Sequence, residues 1–182
     1  VPMPWSWPAE VNAHEAAAYC QWRAERDGKA AANGNNGATP PQYRLVTEAE
    51  HMRIREVCVP AAGTVDKDPV LSRSGADFAA VSTNLNLAYG TPSPVDAACK
   101  AAVSEGRAPA PFGDAMGNVW EWCADDFYPL DGFRVHPLYD DFSTPCFDGA
   151  HNMIMGGSWA STGDEASSYS RFHFRPHFFQ HA

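Results

Sequence analysis

Two four-residue stretches, Asn12-Ala-His-Glu15 and Thr47-Glu-Ala-Glu50, have the spacing in which a polar side chain caps a helix and a glutamate three residues on reaches back. They place the clear helices near the start of the chain. The first opens a helix over residues 12–27, with Ala16, Tyr19, Cys20 and the stem of Arg23 on one face and Gly28 as its end. The run GKAAANGNNGATPPQ that follows reads as an exposed loop. A short strand at residues 43–46 leads into the second capping box, and Ile54 and Val57 continue the apolar side of the helix behind it.

Downstream the pattern changes. Residues 59–112 are broken by prolines and glycines, and 15 prolines with 14 glycines suit a globular domain rich in irregular structure rather than a helical bundle. Period-two alternation survives in short pieces: residues 84–90 (NLNLAYG), 117–123 (GNVWEWC) and 153–159 (MIMGGSW) are the predicted strands. In the second, Val119, Glu121 and Cys123 face opposite to Trp120 and Trp122. Helices near the start and short strands among long loops make the fold class α+β, and 182 residues supply one core rather than two.

Bulk chemistry narrows the partners. A formal charge of −9 argues against nucleic acid or an anionic membrane, since either needs a basic face. No apolar run approaches a membrane span and no signal-peptide pattern is present. Five cysteines, an odd count with no C-x-x-C, suit the reduced thiols of a cytoplasmic protein better than a disulfide framework or a zinc knuckle. The start at Val1 and the end at Ala182 read as those of a piece of a longer chain.

The closing stretch RFHFRPHFFQH sets His173, His177 and His181 four residues apart, as a ladder of metal ligands would. Geometry argues against three ligands on one ion. On a helix His173 and His181 stand about 12 Å apart along the axis, and on a strand about 26 Å apart. Pro176 also discourages a continuous helix, which leaves only a pair from His177 and His181 on one helical turn.

The ordered motifs AAAYCQW, YRLVTEAE, GDAMGNVWEW and GGSW, followed by an Arg-rich closing segment, resemble the formylglycine-generating-enzyme (sulfatase-modifying factor) domain over nearly the whole chain. The resemblance implies a distant variant of the C-type-lectin fold, in agreement with α+β, spanning residues 1–182 as a single domain. Formylglycine generators carry two copper-binding cysteines just after GGS. Here those positions hold Ser161 and Ala166, neither of which supplies a thiolate.

The C-terminal third, YDDFSTPCFDGAHNMIMGGSWASTGDEAS followed by HFFQHA, is instead similar to the iron-dependent sulfoxide synthases, within them the 5-histidylcysteine (ovothiol) branch more than the ergothioneine branch. Such enzymes join cysteine sulfur to a histidine imidazole carbon using dioxygen. In that family Fe(II) is held by the H-x3-H-x-E motif of a preceding DinB-type helical domain, and a methyltransferase domain often follows. Neither that motif nor the Gly-Phe-Arg that usually follows the final alanine occurs here, so the resemblance puts the iron outside this chain.

The same resemblance implies site residues. A tyrosine upstream of GGS, able to give a proton near the iron–oxygen unit, falls on Tyr139, with Tyr128 as the other candidate. The substrate-holding triplet of the closing segment falls on Arg171, Phe172 and His173, where the residue types differ from the polar–aromatic–acidic pattern. An arginine there suits a carboxylate, and Phe172 could pack on an imidazole ring. Asp164, Glu165 and Arg175 flank the expected pocket floor, together with Trp159 of GGSW; structural salt bridges are the competing account of Arg171 and Arg175. Trp120, Trp122, Phe178 and Phe179 are expected in the core, Asn118 at a turn or a cation, and Cys123 and Cys146 as small buried hydrophobes. Asp114, Asp125 and Asp126 would permit a structural calcium. The competing functions are a non-catalytic lectin-like binding module, an ergothioneine-type sulfoxide synthase and formylglycine generation.

Overall fold

Both capping boxes form. The Asn12 backbone N–H donates to Glu15 Oε2 at 2.8 Å while the Glu15 N–H donates to Asn12 Oδ1 at 2.9 Å, and helix α1 runs over Ala13–Asn33. It passes through Gly28 instead of stopping there. A helical glycine costs about 1 kcal/mol relative to alanine, too little to end a helix whose neighbours favour it. The pairing of Arg23 with Asp27 (2.7 Å), and of Tyr43 Oη with the same carboxylate (3.0 Å), ties that turn to the loop beyond. At α2 (Glu48–Cys58) the Thr47 N–H donates to Glu50 Oε2 at 2.8 Å and the Glu50 N–H to Thr47 Oγ1 at 3.2 Å.

The computed structural model describes residues 4–33, 39–58, 84–106, 108, 111–139, 143–162, 165 and 170–179. A further helix, α3 (Ala97–Ser104), lies in the proline- and glycine-broken stretch where loop was expected. Strands β1 (Glu121–Asp126), β2 (Asn152–Met155) and β3 (Phe172–Phe174) form an antiparallel sheet in that order. Trp122 pairs with Ile154 and Met153 with His173, and a register shift between Trp122 and Asp126 bends β1. No described helix is long and apolar enough to cross a membrane.

Alternation buries both faces of this sheet. Cys123, Met153 and Met155 pack with Phe127 on one side, against Val46, Met52, Cys146 and Phe147. Trp122 and Ile154 pack with Ala13 on the other, against Ala16, Leu45, Trp120, Phe172 and Phe174. The indole N–H of Trp122 donates to the Val11 carbonyl (2.9 Å) and the Ala13 N–H to the Pro176 carbonyl (2.9 Å), so the start of α1 is pinned to the sheet and to the closing segment.

Two expected strands are not strands. Residues 43–46 form no ladder, although the Ala124 N–H donates to the Val46 carbonyl at 2.8 Å. Residues 84–90 form a turn, because Asn86 and Leu87 take left-handed φ of 55° and 60°. That turn sends the N–H groups of Asn86 and Leu87 to the carbonyls of Ser161 and Trp159, and so docks on the loop after β2. Gly117 makes the docking close: a Cβ there would lie 2.3 Å from the Asn84 carbonyl oxygen. In the closing segment Phe178 is half-buried and stacks on Phe174 at 4.3 Å, whereas Phe179, also expected in the core, is exposed. The chain turns after Phe174 and leaves the sheet, so adjacent aromatics no longer share its cover.

Candidate functional site

The closing strand β3 presents two chemically different faces. Phe172 and Phe174 join Trp120 in an aromatic layer, with Phe172 and Trp120 ring centroids 5.9 Å apart. His173 points the other way, buried, stacked on Phe127 at 4.2 Å and edge-on to His151 at 5.1 Å. Burial, with the neighbouring His151, pushes the His173 pKa below its ordinary value, because a charged imidazole there loses solvent.

Arg171 sits just before β3 and is engaged by the fold. Its Nε and Nη2 donate to the two carboxylate oxygens of Glu48 at 2.5 and 3.0 Å, and Nη2 also donates to the Tyr128 carbonyl at 3.0 Å. The guanidinium lies 5.3 Å from the Phe127 ring centroid. Glu48 begins α2, so this bidentate pair ties the closing segment to a helix N-terminus. Arg175 is exposed and stands 3.7 Å from Asp148 Oδ2.

Tyr139 is 63% exposed at the end of a turn over residues 137–138, which its N–H closes by donating to the His136 carbonyl. Tyr128 Oη donates to Asp126 Oδ2 at 3.0 Å, and that hydrogen bond raises the phenol pKa. Trp159 is half-buried, held by its N–H donating to the Asn118 carbonyl at 3.0 Å. Glu165 is exposed; Asp164, Ala166 and His181 lie outside the described residues. His177 falls in a turn, not on a helix.

Ser161, at one of the two positions where formylglycine generators carry cysteine, is buried and accepts the Ser158 N–H on its hydroxyl at 3.0 Å. Its role is to close the GGS turn. Asn118 is fully buried at a left-handed φ of 67°, accepting the Ser93 N–H and donating to the Ser93 carbonyl and Asp114. It fixes a turn. The three aspartates considered for calcium serve separate donors. Asp114 accepts from Asn118, Asp125 from the Glu48 N–H, and Asp126 from Tyr128. They do not converge as a ligand group among the described residues.

Three features escaped sequence reasoning. His51, buried in α2, donates from Nε2 to Glu121 Oε2 at 2.6 Å beside a cavity of about 450 Å³ lined by Val11, Ala16, Leu45, Ile54, Trp120 and Trp122. Glu48 and Arg171 find each other from 123 positions apart. Cys146, His151 and His173 gather their ligand atoms within 4.8 Å of one another. The Cys-x4-His spacing of the first two was the available signal. By contrast Cys123 is the inert core thiol expected of it, with burial pushing its pKa up to about 12.

Residues 6–182 match the family of the sulfatase-modifying factor enzyme 1-like domain. The chain belongs to this family. Among curated relatives, a 45-residue stretch is 42% identical to hercynine oxygenase of Mycobacterium tuberculosis, covering 25% of this chain and 10% of that protein. A 72-residue stretch is 33% identical to hercynine oxygenase of Mycolicibacterium smegmatis, covering 31% and 17%. Ergothioneine biosynthesis protein 1 of Neurospora crassa is 39% identical over 46 residues, covering 25% and 5%. The matched stretches are thus small parts of those longer proteins. In overall shape this sulfatase-modifying-factor domain is similar to Treponema denticola variable protein 1, with a TM-score of 0.56 at 20% identity over 97% of this chain and 68% of that one. It is also similar to PvdO from Pseudomonas aeruginosa, with a TM-score of 0.52 at 19% identity over 94% and 57%. At such identities the likeness establishes the fold, α+β with a small antiparallel sheet, and nothing finer.

Proposed function

We propose that this chain is the substrate-facing part of an iron- and dioxygen-dependent sulfoxide synthase that joins cysteine sulfur to a histidine imidazole, in the ovothiol branch. The observation that carries the reading is the company the chain keeps: its family, with curated relatives named for hercynine oxygenation and ergothioneine biosynthesis. Ser161 supports it from the side of exclusion, since a buried hydroxyl that closes a turn stands where a formylglycine generator needs a thiolate.

The iron of such an enzyme does not fit the residues present. The convergent ligand group among the described residues contains a thiol, and H-x3-H-x-E is absent from the sequence. The metal therefore belongs to a DinB-type domain of the same polypeptide, and a methyltransferase domain is a further partner in this reading. What this chain supplies is a wall. Tyr139, exposed at its turn, presents a phenol that gives a proton at the reacting centre. Arg175 and Glu165, both exposed, offer charge to substrate carboxylate and ammonium groups, a role this reading also gives to Asp164. Phe172 and Trp159 supply apolar surface, while the bonded Arg171 and the buried His173 hold that wall from behind.

The ergothioneine branch is the second reading, favoured by the names of the relatives. One experiment separates them. The full-length protein is loaded with Fe(II) and given cysteine and oxygen with either histidine or hercynine, and products are identified by mass spectrometry. Histidine coupling supports the ovothiol branch, and preference for hercynine replaces it with the other. No product from either refutes the synthase reading and leaves a non-catalytic binding module. Full activity in Tyr139→Phe refutes the role given to that residue.

A further inference from the structure

The convergence of Cys146, His151 and His173 is built by three different pieces of backbone. Cys146 ends the single helical turn Thr144–Cys146, with Pro145 near its start. His151 immediately precedes β2, and its carbonyl accepts the Phe127 N–H at 2.7 Å, which anchors the position to the end of β1. His173 sits in the middle of β3, paired with Met153 of β2. Two of the three side chains are thus mounted on or against paired strands, the rigid part of the fold.

The surroundings of His151 are those of a metal-ligating histidine. Its Nδ1 lies 2.9 Å from Asp148 Oδ1, and the same oxygen accepts the Ala150 N–H at 2.8 Å, so carboxylate and turn are fixed together. A carboxylate on one imidazole nitrogen sets the tautomer and orients the other nitrogen as a ligand. Arg175 stands beyond Asp148 at 3.7 Å and completes the outer layer.

We propose that Cys146, His151 and His173 bind a borderline-soft divalent cation of the zinc type. One thiolate with two imidazoles selects such an ion over magnesium or calcium, which take oxygen ligands. Around a tetrahedral zinc, with bonds of about 2.0–2.3 Å, ligand atoms stand about 3.4–3.6 Å apart. The observed separations, all within 4.8 Å, close to that geometry by a shift of about 1 Å. Cys146 and His151 are half-buried, so the ion has a route in, and three protein ligands leave a fourth position for water. The bound ion would cross-link the turn at residues 144–146 to β3 and set the position of the strand that carries Phe172. This site is separate from the iron of the proposed reaction and stands whether or not that reaction is the right one.

The test uses cobalt(II) as the probe, titrated anaerobically into the intact protein after reduction and treatment with a chelator. A near-ultraviolet thiolate-to-cobalt charge-transfer band is expected, saturating at one equivalent. It should vanish in Cys146→Ser, fall at least tenfold in apparent affinity in His151→Asn, and persist in Cys99→Ser, where the thiol is exposed and outside the cluster. A centre made of imidazoles and carboxylates elsewhere in the polypeptide gives no such band, so loading of an iron site does not imitate the result. Absence of the band in the wild type, or its survival in folded Cys146→Ser, overturns the proposal. Should a variant fail to fold by circular dichroism, X-ray absorption of the zinc-loaded wild type decides. One sulfur with two imidazoles around the ion supports the site, and a shell without sulfur overturns it.

Discussion

Replacing Arg171 by methionine tests whether the closing segment is held by the fold or reserved for a ligand. The guanidinium makes a bidentate pair with Glu48, with the two side chains 16% and 17% exposed, and adds a hydrogen bond to the Tyr128 carbonyl. That exposure puts the pair between two regimes. A solvent-exposed ion pair is worth about 0–1 kcal/mol, whereas removing one partner of a buried pair costs about 3–5 kcal/mol because the other charge is stranded. Arg171→Met should therefore cost about 2–3 kcal/mol, mostly from leaving Glu48 half-buried without its cation. For a chain of this size that lowers the melting temperature by about 4–12 °C, at about 2–4 °C per kcal/mol. The assay is thermal unfolding of the wild type, Arg171→Met, Glu48→Met and the double variant. A double variant less destabilised than the sum of the single changes, by about 1 kcal/mol or more, is the signature of a direct pair. Unchanged melting in Arg171→Met, combined with a raised KM for a carboxylate-bearing substrate, would refute the reasoning and hand the guanidinium to the ligand.

Other positions give shorter tests. Gly117→Ala should destabilise by about 2–4 kcal/mol, since its Cβ would meet the Asn84 carbonyl at 2.3 Å and φ is +78°; urea unfolding measures it. Asn118→Ala strands the Ser93 N–H and carbonyl, and should cost about 2–3 kcal/mol in the same assay. Glu50 is held down at about 2, from an ordinary 4.5, first by Arg44 and then by the Thr47 N–H. A depressed carboxylate stabilises the fold fully above its unfolded value and loses that contribution as pH falls through its folded value. Melting temperature should therefore fall between pH 4.5 and about 2, and Glu50→Gln should flatten that part of the profile. An identical acid slope in the variant would remove Glu50 as a cause.

How much was legible beforehand follows the range over which each interaction acts. The capping boxes at Asn12 and Thr47 span three residues and appear as written. Alternation in residues 117–123 and 153–159 located β1 and β2, though not their ends, because β1 runs on to Asp126 and β2 stops at Met155 before the glycines. Alternation misled at residues 84–90. There Leu85 is buried by the approach of Gly117 and the following two residues turn left-handed, so an alternating string served a turn. Gly28 misled in the other direction, since its propensity cost is too small to end a helix whose neighbours favour it.

The order of motifs, the absence of a thiol at Ser161 and the family are properties of the chain as a string, and they decide the class of protein to which it belongs. What RFHFRPHFFQH does was beyond the string. Its histidines looked like a ladder, but among the described ones His173 lies on a paired strand and His177 in the turn beyond it. The fold gives His173 to His151 and Cys146 instead, and Arg171 to a glutamate 123 positions away. Local chemistry sets caps and periodicities because it acts within one turn of chain. A three-residue cluster drawn from a turn, a loop and an edge strand exists only once the sheet has fixed their distances.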